Sequence, residues 1–82
     1  MMEPIVYAVK RIDFADNGTA AKTNLIGIYL KHSDAVKQLR HHARNEDNYT
    51  MDRLVFGDDR ILFSSGTIQQ KEYMIVPITV RV

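Results

Sequence analysis

From Ile5 to Phe14 the chain is rich in β-formers, with Ile5-Val6-Tyr7-Ala8-Val9 followed by Ile12 and Phe14, and this first strand stops at Asp16-Asn17-Gly18. Asn-Gly favours a two-residue hairpin turn, because both central positions need positive φ, which Asn tolerates and Gly prefers. With Asn17-Gly18 at the tip, Val9 faces Ile26, Tyr7 faces Ile28, Ile5 faces Leu30 and Asp13 faces Lys22. The opposite face sets Val6 by Tyr29, Ala8 by Gly27 and Lys10 by Leu25. The small Ala8–Gly27 pair predicts a shallow hollow, which helix side chains fill or which serves as a ligand or partner groove, the filling being the leading expectation. The apolar run Leu25 to Leu30 meets the one helical pattern of the chain, Val36, Leu39 and Ala43 at i, i+3 and i+7 with Ala35 beside them. Ser33-Asp34 supplies an N-cap hydroxyl and a first-turn acid, and Asn45 a stop, so a helix is predicted over 33–45.

Glu46-Asp47-Asn48 reads as a polar connection, and Tyr49 to Phe56 returns to strand character. A turn over Gly57-Asp58-Asp59 leads into Ile61-Leu62-Phe63. Asp58-Asp59 at its tip sets Phe56 opposite Ile61 and Val55 opposite Leu62. Ser64-Ser65-Gly66 is the next break. In the last strand Met74, Val76, Ile78, Val80 and Val82 alternate with Tyr73, Ile75, Pro77, Thr79 and Arg81. Pro77 cannot donate to a ladder, which predicts an edge strand or a bulge there. The expected fold is α+β, a mainly antiparallel five-stranded sheet with one helix in the order β-β-α-β-β-β, as a single domain over residues 1–82.

Both faces of this sheet are apolar, and the narrow stripe of one helix covers only one of them. The second face needs another cover. Either the sheet curls towards a barrel, as Gly27 and Pro77 permit, or a second copy of the chain packs against it through the sheet surface or an edge. A homodimer is therefore expected, with Tyr7, Tyr29, Met74, Val76 and Ile78 as its sheet-face contacts.

Composition narrows the classes. Hydrophobic content of 45% and charged content of 26% are ordinary for a globular domain, and no run is long enough to cross a bilayer, so no membrane association is expected. Met1-Met2-Glu3-Pro4 lacks the basic and apolar character of a secretory signal. The absence of cysteine excludes disulfides, thiol catalysis and thiolate metal sites, and a cytoplasmic location fits best. A net charge of +1 speaks against a strongly basic nucleic-acid binder and against an acidic DNA mimic. The charges are segregated, however. Lys31, Lys37, Arg40 and Arg44 against Asp34 give residues 31–44 a charge of +3, whereas Glu46, Asp47, Asp52, Asp58 and Asp59 against Arg53 give residues 45–59 a charge of −4.

Lys37, Arg40, His41 and Arg44 recur at helical spacing and form a cationic stripe, the candidate site for an acidic protein patch, a nucleic acid or a nucleotide. His41 and His42 point about 100° apart on a regular helix and do not chelate one ion together; with no H-E-x-x-H pattern, no metal site or cofactor is expected. Asp58 and Asp59, with Asp52 near in sequence, suit turn hydrogen bonding better than cation binding. Ser64-Ser65-Gly66 lacks the flanks of a nucleophile elbow. His41 or His42 with Lys37, Arg40 and Arg44 could serve a small nuclease toxin, a reading that lacks a second positioned acid or base.

Leu-Ile-Gly-Ile-Tyr running straight into a helix opened by Ser-Asp-Ala resembles the small ββαβ proteins of phage and bacterial genomes, over roughly residues 5–56. What the resemblance implies is a phage-like accessory protein that binds and blocks a host or defence component, in the manner of anti-CRISPR proteins or sponges for signalling nucleotides. The leading expectation is a non-enzymatic interaction protein with a protein partner. The alternatives are nucleic-acid or nucleotide binding through the helix stripe, and the small nuclease.

Overall fold

Two hairpins share one long central strand in the computed structural model, which describes residues 4–45, 52–65 and 68–81. The elements are β1 (Ile5–Phe14), β2 (Ala20–Tyr29), α1 (His32–Arg44), β3 (Asp52–Phe56), β4 (Arg60–Ser65) and β5 (Ile68–Thr79). All pairings are antiparallel, and the strand order is β2-β1-β5-β4-β3. The α+β architecture and the element order match the expectation. Gly66, Val82 and the expected strand start and connection over 46–51 lie outside the described residues.

The first hairpin corrects the expected turn. Gly18 N–H donates to the Ala15 carbonyl and Ala15 N–H to the Thr19 carbonyl, both at 2.9 Å, so the loop is Asp16-Asn17-Gly18. Only Gly18 takes positive φ, at 85°, which excludes the turn type that needs it at Asn17 as well. Asn17 instead accepts from the Thr19 N–H and hydroxyl, at 3.1 and 2.7 Å. From Lys10 to Asp13 the expected register holds, with Lys10 opposite Leu25 and Asp13 opposite Lys22. It then slips between Val9 and Lys10, where Ile26 is the extra residue. Val9 faces Gly27, Ala8 faces Ile28 and Tyr7 faces Tyr29. Gly27 thus moves to the helix side and away from Ala8. Its expected hollow is filled by Tyr29 of its own strand, whose Oη would lie 2.7 Å from an added Cβ.

The second hairpin also shifts by one residue. Phe56 pairs with Arg60, Val55 with Ile61 and Leu54 with Leu62, because Gly57 joins the loop at φ 60°. Helix α1 starts at His32, one residue early, with Lys31 as N-cap and no side-chain cap hydrogen bond, so Ser33 sits inside the first turn. Asn45 is the C-cap, as expected. Strand β5 is central, where an edge strand or a bulge at Pro77 was expected. In its polar first half Gln69, Lys71 and Glu72 pair with β4, the register skipping Gln70, and Lys71 and Glu72 pair with β1 as well. Pro77 is still accommodated as an edge residue: β4 begins at Arg60 opposite Met74, so beyond that point β5 has only β1 beside it.

Helix α1 lies over β1, β5 and β2, burying Ala35, Leu39 and Ala43 against Val9, Ile61, Phe63, Tyr73 and Ile75, with Tyr7, Ile26, Tyr29 and Val36 packed at the margin. That core sits on one side of the sheet. The molecule is elongated, 47 × 23 × 18 Å with a radius of gyration of 13.8 Å, against about 12 Å for a compact chain of this length. The edge strands β2 and β3 lie at opposite ends of the strand order and are not joined to one another, so the sheet is open rather than curled into a barrel.

Candidate functional site

Cross-strand partners share a face, so the registers give the surface opposite the helix row by row. One row runs Ile28, Ala8, Val76. The next runs Leu25, Lys10, Met74, Arg60, Phe56, and the third Thr23, Ile12, Glu72, Leu62, Leu54. Val6 and Ile78 extend the apolar part at one end. Leu25, Ile28, Leu54 and Phe56 remain 58%, 56%, 46% and 48% exposed on this face, with Lys10 and Arg60 between the two pairs. Through the middle runs a polar contact. Arg60 Nε donates to Glu72 Oε2 at 2.7 Å, and the guanidinium lies 4.8 Å from the centroid of the Phe56 ring. Glu72 is buried on this face, and its charge is matched by a directional hydrogen bond, as a buried carboxylate requires.

The five expected sheet-face contacts are not brought together. Met74, Val76 and Ile78 lie on this open face. Tyr7 and Tyr29 lie on the helix side, packed against the core, because the extra residue Ile26 turns Tyr29 across from Tyr7 and over Gly27. Leu25, Ile28, Leu54 and Phe56 share the open face with Met74, Val76 and Ile78. The alternation of Leu54 and Phe56 about Val55 carried a signal for two of them, but only with the hairpin register in hand.

The helix stripe is present: Lys37, Arg40, His41 and Arg44 are all exposed. It is partly neutralised from outside the helix. Arg40 Nη2 donates to Asp58 Oδ1 at 2.8 Å, and His32 Nε2 lies 2.6 Å from Asp59 Oδ1, so the β3–β4 loop delivers both acids to the helix. The same loop is pinned to the sheet by Ile75 N–H donating to the Asp59 carbonyl at 2.8 Å, and the His32 ring meets Tyr7 edge-on at 5.2 Å. The opposite charges of residues 31–44 and 45–59 were the sequence signal for this docking. All these pairs are exposed and each contributes no more than about 1 kcal/mol.

For chemistry, the His41 and His42 rings stand edge-to-face with centroids 5.6 Å apart. Asp52 lies at the far end of β3 from Asp58 and Asp59, opposite Ser64. Among the described residues no three metal-ligating side chains gather, and no helix is long and apolar enough to cross a membrane. Compared with family models, curated proteins and solved structures, the chain matches none.

Proposed function

We propose that this chain is a non-enzymatic interaction protein that binds and blocks a macromolecular partner, most simply a protein, with the sheet face opposite its helix. The observation that carries this reading is the open surface with Leu25, Ile28, Ile78, Leu54 and Phe56 exposed on it, crossed by Lys10 and the Arg60–Glu72 pair. Large apolar anchors around a satisfied polar contact are the composition of a protein-binding patch. A face on a body 47 by 23 Å also offers the roughly 800 Å² per partner of a standard interface. Inhibition of a host or defence component refines this reading and rests on the sequence resemblance alone. A cytoplasmic location and self-association as a homodimer belong to the same proposal.

Affinity capture from the native cells tests it. A Leu25→Asp, Ile28→Asp double variant, shown folded by circular dichroism, is expected to lose the captured partner, while Lys37→Glu, Arg44→Glu retains it. The reverse pattern overturns the reading and favours the second one, binding of nucleic acid or a nucleotide by the helix. That alternative is supported by the exposed Lys37, His41 and Arg44, and is weakened by the capture of Arg40 by Asp58.

A further inference from the structure

The two edges of the sheet are built differently. On β2 the ladder is interrupted twice, between Asp13 and Phe14 and between Val9 and Lys10 of its partner strand, and Lys22, Thr23 and Asn24 fill its middle. Bulges and a lysine are the devices by which edges resist pairing with another chain. Strand β3 has no bulge and no lysine. It pairs with β4 without a register shift and, after the charged Asp52-Arg53, presents Leu54-Val55-Phe56, with every one of its five residues exposed. An unbulged, exposed edge that ends in three apolar residues is a template for a further strand.

We infer that β3 is the self-association edge, pairing antiparallel with β3 of a second copy across a twofold axis at Leu54. This rests on, and narrows, the homodimer in the proposed function. A twofold axis normal to the sheet sets one residue of the strand opposite itself, and Leu54 is the centre that uses all five residues from Asp52 to Phe56. Leu54 then meets Leu54 of the other copy, and Asp52 stands opposite Phe56 of the other copy on the open face.

That register is also the complementary one for charge. The Arg60 guanidinium lies over the ring of Phe56, its neighbour on the edge strand, 4.8 Å from the centroid, and its Nε is the nitrogen bonded to Glu72, which leaves other guanidinium N–H groups for a second carboxylate. Asp52 is exposed at the start of the edge and forms no ion pair with another described residue. Pairing about Leu54 brings each Asp52 beside Arg60 of the other copy, twice by symmetry. The product is a ten-stranded antiparallel sheet in which the two open faces run on as one surface, free for the macromolecular partner.

The chain has no cysteine, so single-cysteine variants report this geometry without background. Light scattering at micromolar concentration is expected to give twice the 9.4 kDa of one chain. Under mild oxidation Leu54→Cys is expected to cross-link fully, because directly opposed residues lie within disulfide reach. Asp52→Cys and the open-face variant Ile28→Cys are expected not to. Asp52→Arg is expected to weaken dimerisation by roughly tenfold or more through like charge beside Arg60. A wild-type mass that stays at one chain as concentration rises overturns the inference. So does a dimer that cross-links at Ile28→Cys in place of Leu54→Cys, which would be a face-to-face pair. A chain that fails these tests yet loses its partner in the Leu25→Asp, Ile28→Asp variant leaves the open-face reading standing.

Discussion

Gly27 shows how one residue sets its surroundings. Tyr29 lies back over it, and an added Cβ would sit 2.7 Å from the Tyr29 hydroxyl oxygen, the far end of a side chain that can swing. Gly27→Ala is therefore expected to keep the fold but displace the Tyr29 ring from the core margin, at a cost of about 1 kcal/mol in denaturant unfolding. Gly18 is different in kind: nothing lies near it, and its φ of 85° is the constraint. Gly18→Ala should cost about 1 kcal/mol through backbone strain alone, with no change in side-chain packing by near-ultraviolet spectroscopy. The sequence made both glycines conspicuous. It did not reveal that Ile26 is an extra residue in the ladder, because a strand apolar on both faces offers no alternation to fix its register.

At the scale of elements, the helix was legible because burial obeyed its period. Ala35, Leu39 and Ala43 are the residues it buries, and Leu39→Ala is expected to destabilise the chain by about 3 kcal/mol, measured by urea unfolding. Its start was less legible. Ser33 had the chemistry of a cap, but the chain begins its helix one residue earlier, and His32 meets Tyr7 and Asp59 in the first turn. Strand β5 was half visible: Met74 to Ile78 alternate, whereas Gln69 to Glu72 form strand through their neighbours on β4 and β1, which no local pattern encodes. The Arg40–Asp58 contact ties the helix to the β3–β4 loop, and its removal gives a prediction of opposite sign for binding and stability. Asp58→Ala should leave stability within about 1 kcal/mol and strengthen any salt-sensitive binding of polyanions by the helix, read from titrations at two ionic strengths.

For the whole molecule, the sequence argument that two apolar sheet faces need two covers holds in part: the helix covers one face, and the opposite face keeps Leu25, Ile28, Leu54 and Phe56 about half exposed. The curled alternative is absent because the edges β2 and β3 stand at opposite ends of an open sheet. Which residues form the open face could be known only once two one-residue register changes were known, since each such change moves a strand's side chains to the other face. The central claim is that this face meets the partner. Carbene footprinting of the chain alone and in the captured complex tests it most directly. The account predicts that labelling of Leu25, Ile28 and Ile78 falls several-fold in the complex while Lys37 and Arg44 are labelled as before; protection of Lys37 and Arg44 with the sheet face unchanged would contradict it.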